Sequence, residues 1–287
     1  MPRVRASRTG SRMPTLEITP LTPAIGAEVS GIVLAEPLGD ETIAELRQAL
    51  LDHLVIFFRG QDITDEQHLD FSLRFGPLSV PPLATKYQDR PTVTVLDQVH
   101  PKGEGADEWH SDNTFMPNPP MGSILRAVQL PSAGGDTCFS NMYAAYEALS
   151  PTVRSLVDEL RAVHDITKPM RKALAGGHTT LDLSEMQQRW PPIEHPVVVT
   201  HPETGRRALF VNRNSTTHIV GLSERENDAL LPFLLDHVRS PEFQCRFHWD
   251  VGSMAFWDNR SVQHYGVADY VERRVMHRVT IDGPPVC

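Results

Sequence analysis

The sequence has little of several things that would define its class. Only three cysteines occur, Cys138, Cys245 and Cys287. They are odd in number and far apart, which argues against a disulfide framework and for a reducing, cytoplasmic setting. No apolar run comes near the roughly 18 residues of a membrane span. There is no basic excess either. Lys and Arg number 27 against 36 Asp and Glu, a net charge of −9, whereas a nucleic-acid binder needs a basic face. Neither a membrane nor a nucleic acid is therefore expected as a partner. Nucleotide fingerprints are missing as well: no G-x-G-x-x-G follows a strand, and no G-x-x-x-x-G-K-[ST] occurs. The H-E-x-x-H of zinc proteases is also absent.

What is present is an ordinary soluble composition. Of the 287 residues, 40% are hydrophobic and 22% charged, enough chain and apolar content for a sizeable core. Thirteen His are many for this length and direct attention to metal chemistry. Residues 1–15 begin MPRVRASRTGSR, with four Arg, no acid and no following apolar stretch. That is not a signal peptide. It reads as a flexible extension, with Met13 as an alternative start. Residues 16–287 read as one domain, because elements alternate without a clean boundary.

Local signals place several elements. Asp40 is expected to cap a helix with Ile43, Leu46, Leu50 and Leu54 on its apolar face. Val55–Phe58 reads as a buried strand stopped by Gly60. Thr64 and Gln67 have capping-box spacing, as do Ser223 and Glu226. The second of these helices is expected to kink or restart at Pro232. Ser150-Pro151 opens a helix with a stripe of Leu156, Val157, Leu160 and Val163. Segments 79–107 and 167–192 read as long loops and candidate lids, the first holding a short strand at Val93–Leu96. Towards the end, Phe243, Cys245, Phe247 and Trp249 alternate with polar residues. Val275, His277, Val279 and Ile281 alternate with Arg274, Met276, Arg278 and Thr280. Each set lies on one strand face. Many short strands with Gly and Pro turns suggest a sandwich or jelly roll with added helices.

The sharpest local feature is Trp109-His110-Ser111-Asp112. In an extended segment His110 and Asp112 point to the same side, where an imidazole and a carboxylate can share one metal. Alone the triplet also suits a plain strand-end pair. A metal site needs a third ligand, and His264 is the best candidate. Two His and one carboxylate on one face is the arrangement of non-haem Fe(II) oxygenases. The other His are poorer candidates: His53 and His68 lie on expected helices, His195 and His201 flank Val197–Val199 in turns, and His277 suits a hydrogen-bonded core role. Arg274 and Arg278 share a face and suit anion binding, because a guanidinium grips carboxylate or sulfonate through two hydrogen bonds. Two surface Arg on an edge strand is the plainer alternative.

Five motifs in order then resemble the taurine dioxygenase family of Fe(II)- and 2-oxoglutarate-dependent dioxygenases. They are W-H-S-D-N-T-F at 109–115, P-S-A-G-G-D-T at 131–137, F-W-D-N-R at 256–260, Q-H-Y at 263–265 and R-R-V-M-H-R at 273–278. Weaker similarity runs from Leu16 to Gly283. The resemblance implies a double-stranded β-helix (jelly roll, cupin-like) core flanked by helices. It implies His110, Asp112 and His264 as iron ligands, and Thr137 and Arg274 as partners of the distal carboxylate of 2-oxoglutarate. Arg278 would face the anionic group of the primary substrate, with Arg273 in reserve for Arg274. O2 would be the co-reactant, succinate and CO2 the coproducts, and a homo-oligomer (dimer or tetramer) the assembly. Asp258 or Asn259 would orient ligands, or simply form a turn.

Taurine itself fits poorly. Pro81, Ala84, Ala106 and Ser215 stand where taurine enzymes have a His, a Tyr, an Asn and an aromatic. A site without those partners loses its discrimination for a small aminosulfonate. A larger or more apolar acid is expected: a sulfonate, alkyl sulfate or related acid. Two other functions compete. A non-catalytic cupin-like protein would bind metal or acid without consuming 2-oxoglutarate. A metallohydrolase would act with zinc and without O2.

Overall fold

The computed structural model describes residues 16–81, 92–99, 107–177 and 179–286. The N-terminal extension, Ala84, Ala106, Cys287 and most of the first candidate lid lie outside these. The first half runs β1 (Glu17–Pro20), β2 (Ala27–Ser30), α1 (Asp40–His53), β3 (Val55–Phe58), α2 (Asp65–Leu73), β4 (Thr94–Gln98), β5 (Gly122–Gln129), β6 (Thr137–Asn141), α3 (Met142–Glu147) and α4 (Pro151–Val157). The second half runs β7 (Arg161–His164), α5 (Thr167–Ala175), α6 (Leu183–Arg189), β8 (Ile193–Pro196), β9 (Val198–Thr200), β10 (Arg207–Leu209), β11 (Thr216–Ile219), α7 (Glu224–His237), β12 (Gln244–Phe247), β13 (Met254–Asp258), β14 (Val262–Gly266) and β15 (Arg274–Ile281). The protein is mainly β with flanking helices.

A seven-stranded sheet has the order β1-β2-β3-β13-β5-β15-β4, and a three-stranded sheet has the order β12-β6-β14. The two share one core. Phe57 of β3, Leu125 of β5, Trp257 of β13 and Met276 of β15 join Phe139 of β6, Phe247 of β12 and Val262 of β14 in a single buried cluster. Strand alternation sends the neighbouring residues the other way. Ile56, Phe58, Ile124, Phe256, Val279 and Ile281 meet Ile43, Leu46 and Leu50 of α1 and Phe71 of α2. The central strands are thus buried on both faces, which is why Val55–Phe58 is apolar throughout.

Both capping boxes form as expected. Four expectations need correction. Gly39, not Asp40, caps α1, and Asp40 enters the first turn, where its charge suits the helix dipole. The stripe after Pro151 does not belong to one helix: α4 ends at Val157, and Arg161–His164 pairs with β8 and β11. Two strand partners outweigh an apparent helical period. Residues 167–192 are not a bare loop but hold α5 and α6. Met170 and Met186 bury with Phe115 and Ile166 in a satellite cluster between them. Finally, α7 continues through Pro232 rather than restarting.

Candidate metal and co-substrate site

Two backbone devices bring the distant motifs together. His110 and His264 form an isolated antiparallel bridge, with N–H to O distances of 3.1 and 2.8 Å. This puts both imidazoles on one side, ring centroids 4.2 Å apart. Asn259, in the turn after β13, clamps the main chain of Asp112. Its Oδ1 accepts from Asp112 N at 2.6 Å, and its Nδ2 donates to Asp112 O at 3.0 Å. Asn113 then turns the chain away at φ +52°. Of the two expected orienting residues, Asn259 serves Asp112. Asp258 instead takes His201 at 2.9 Å and Arg260 at 2.7 Å, away from the ligand atoms.

The three side chains converge. His110, Asp112 and His264 each offer a ligand atom, all within 4.8 Å of one another and all buried. The Nε2 atoms lie 3.7 Å (His110) and 3.8 Å (His264) from Asp112 Oδ1. Glu108 O sits 2.7 Å from His110 Nδ1. A carbonyl only accepts, so the ring proton is on Nδ1 and the Nε2 lone pair faces the cluster. Ser123 Oγ, fully buried on β5, donates to Asp112 Oδ2 at 2.8 Å. Arg278 Nη1 donates to Oδ1 at 3.1 Å.

Protonation states suit a cation. Burial lowers the pKa of His110 and holds that of His264 down to about 3, so both are neutral. Burial alone would raise Asp112. The charge of Arg278, with the Ser123 hydrogen bond beside it, outweighs burial and holds the carboxyl at about 2. Two neutral nitrogens and one anionic oxygen, desolvated and close together, are a donor set that could hold a metal ion.

The second expected cluster is next door. Thr137 opens β6 and Arg274 opens β15, and both are buried. Gly134 and Gly135, at φ +81° and +75°, make the turn before Thr137, a conformation glycine adopts without strain. A Cβ on Gly135 would lie 3.2 Å from Arg274 Cδ and Nε. A small cavity of about 30 Å³ opens beside Arg274, bordered by Gln98, Gly135 and Tyr270. Arg273 faces outward and pairs with Asp97 at 2.6 and 2.8 Å. Strand parity thus distinguishes the two arginines as expected. Sequence reasoning missed Ser123 and Trp249, whose Nε1 donates to Thr137 Oγ1 at 3.0 Å. His195 and His201 are buried and bonded to Met116 O and Asp258.

The family model of the taurine catabolism dioxygenase TauD, TfdA family matches residues 17–280. The chain belongs to this family. It is 37% identical over 287 residues to the alpha-ketoglutarate-dependent sulfate ester dioxygenase of Pseudomonas putida, covering 93% of this chain and 90% of that one. It is 35% identical over 280 residues to the alpha-ketoglutarate-dependent 2,4-dichlorophenoxyacetate dioxygenase of Cupriavidus pinatubonensis, covering 91% and 96%. The crystal structure of a putative alpha-ketoglutarate-dependent taurine dioxygenase from Burkholderia xenovorans superposes with a TM-score of 0.81 at 40% identity, covering 95% and 94%. This family member is accordingly a 2-oxoglutarate-dependent dioxygenase of the taurine dioxygenase type, requiring Fe(II), 2-oxoglutarate and O2. No described helix is long and apolar enough to cross a membrane.

Proposed function

We propose that His110, Asp112 and His264 hold the ferrous ion, that Thr137 and Arg274 bind the distal carboxylate of 2-oxoglutarate, and that Arg278 faces the anionic end of the primary substrate. The observation that carries this reading is the convergence of three buried, deprotonated donor atoms within 4.8 Å. Bound there, iron and 2-oxoglutarate supply the oxidising power for hydroxylating an unactivated C–H bond, with succinate and CO2 released. The chain's own residues do the rest. Ser123 and Asn259 hold Asp112 in one orientation, Glu108 sets the His110 tautomer, and Arg274 supplies fixed positive charge in a site closed to water.

The substrate we propose is an anion with an apolar body, such as a sulfate ester or an aryloxy acid, rather than taurine. Relatives named for both classes support this, as does the small buried Ser215 where taurine enzymes carry an aromatic. On a sulfate ester, hydroxylation of the carbon bearing the ester oxygen expels sulfate and leaves an aldehyde. We further propose that residues 16–287 form one jelly-roll (double-stranded β-helix) domain with 1–15 as an extension, working in the cytoplasm as a dimer or tetramer.

The test is a panel of alkyl sulfates, alkanesulfonates and aryloxy acids, with succinate release read in the presence of Fe(II). Stimulation by one of these classes and not by taurine is expected. Strong coupling to taurine would overturn the substrate assignment. Zinc-supported turnover under argon would point to the hydrolase, and metal binding without succinate to the binding protein.

A further inference from the structure

We propose that Trp249 is a positioning residue for 2-oxoglutarate: its indole N–H fixes the direction in which Thr137 presents its hydroxyl proton, and its ring walls the Arg274 guanidinium. The inference rests on the assignment of Thr137 and Arg274 to the distal carboxylate. Trp249 and Thr137 are each 4% exposed, with Nε1 and Oγ1 3.0 Å apart. An indole N–H only donates. The Thr137 oxygen must therefore accept there, and its own proton is left to point elsewhere. Among the described residues no protein acceptor takes that proton. A hydroxyl that accepts one hydrogen bond also becomes a better donor for the next.

The same indole faces the cation. Arg274 Cζ lies 6.0 Å from the Trp249 ring centroid and 5.9 Å from that of Tyr270. Tyr270 is in turn pinned by its hydroxyl to Gln98 Oε1 at 2.9 Å. Phe247 packs edge-on to Trp249 at 4.9 Å and stacks on Phe57 at 4.0 Å. Donor and guanidinium are thus set in one rigid frame before any carboxylate arrives, which spares the ordering cost of binding.

The experiment is anaerobic calorimetric titration of the Fe(II)-loaded enzyme with 2-oxoglutarate and with 2-oxobutyrate, which lacks the distal carboxylate. Trp249→Phe is expected to weaken 2-oxoglutarate binding about five- to tenfold, and Thr137→Val at least about tenfold, as for a hydrogen bond to a charged group. The double variant should bind like Thr137→Val alone, and 2-oxobutyrate binding should not change. Multiplying effects, or wild-type affinity in Trp249→Phe, would overturn the proposal while leaving Thr137 in its role. An unaffected Thr137→Val would overturn both. A measurement that needs no Trp249 variant uses the Zn(II)-loaded enzyme labelled with [15N]tryptophan, where only four indole signals exist. One of them should be displaced by Thr137→Val in the free enzyme and, in the wild type, move on adding 2-oxoglutarate but not 2-oxobutyrate. If no indole signal behaves so, the proposal fails.

Discussion

Two clusters of the same composition lie against opposite faces of the seven-stranded sheet. On the inner face are His110, His264, Asp112 and Arg278. On the outer face, Asp65 and His68 of α2 meet Arg126 of β5 and His277 of β15. Adjacent residues of β15, His277 and Arg278, contribute one member to each. Yet only the inner set brings three ligand atoms together among the described residues. In the outer set His277 Nδ1 meets Asp65 at 2.7 Å and Arg126 Nη2 at 3.3 Å, and Arg126 also pairs with Asp65 at 2.6 Å. Asp65 is spent on neighbours and 42% of its side chain is exposed. His68 is fully buried, with no well-formed hydrogen bond to either ring nitrogen. Composition does not make a metal site. Convergence of deprotonated atoms does, and that is set by the His110–His264 bridge and the Asn259 clamp.

The comparison can be broken most directly by deleting each acid. Asp112→Ala should lower iron affinity and succinate formation by more than about a hundredfold, since even the outer partners of metal ligands are worth 10–100-fold. Asp65→Ala should leave turnover within about twofold and cost about 1–3 kcal/mol of stability, because the mostly buried Arg126 and His277 lose their acceptor. Iron content after anaerobic loading, succinate release and urea unfolding read all three. Equal losses of activity from the two variants would erase the distinction. The next effect is smaller. Ser123→Ala removes the hydrogen bond that holds Asp112 Oδ2, and iron affinity should fall about tenfold with the fold intact.

Acid probes the outer cluster through one residue, His68. Burial, with Arg126 adding to it, holds His68 at about 3 against an ordinary 6.5. The folded state therefore binds fewer protons than the unfolded chain between these values, so stability falls as pH drops from about 6.5 towards 3. The loss from this one residue is on the order of a few kcal/mol. His68→Leu should flatten that limb in urea melts taken from pH 7 to 4. An unchanged slope would show that His68 escapes burial as the pH falls.

Much of this was legible in the chain for a physical reason: the signals were local. The Thr64/Gln67 and Ser223/Glu226 boxes act within four residues, and period-two alternation placed Arg274 inside and Arg273 outside. The H-x-D triplet pointed to two of the three converging side chains, and His264 stood out as the best third candidate before similarity of motif order added to it. What stayed hidden depends on distant pairing. Ser123 is an unremarkable strand serine until β5 lies beside β13 and the Asp112 turn. Trp249 continues an apolar alternation whose other members are core. Residues 161–164 satisfied a helical period as well as a strand one, and only β8 and β11 decide. The α5–α6 pair escaped notice because so little of each helix buries, Thr167 and Met170 on one and Met186 on the other.

The smallest expected effect tests the finest of these readings. Arg273 and Arg274 differ by one residue and therefore by one face. Arg273 is exposed and spends its guanidinium on Asp97. An exposed pair gains little beyond what water already gives each partner. Arg273→Ala should therefore leave 2-oxoglutarate affinity within about twofold, where Arg274→Ala loses a buried charge-assisted contact and should weaken it by more than about tenfold. Reversed results would mean that β15 is threaded one residue out of step at its start. That slip would exchange the two faces locally, and it would bring Arg273, not Arg274, into the frame of Trp249, Tyr270 and Gly135.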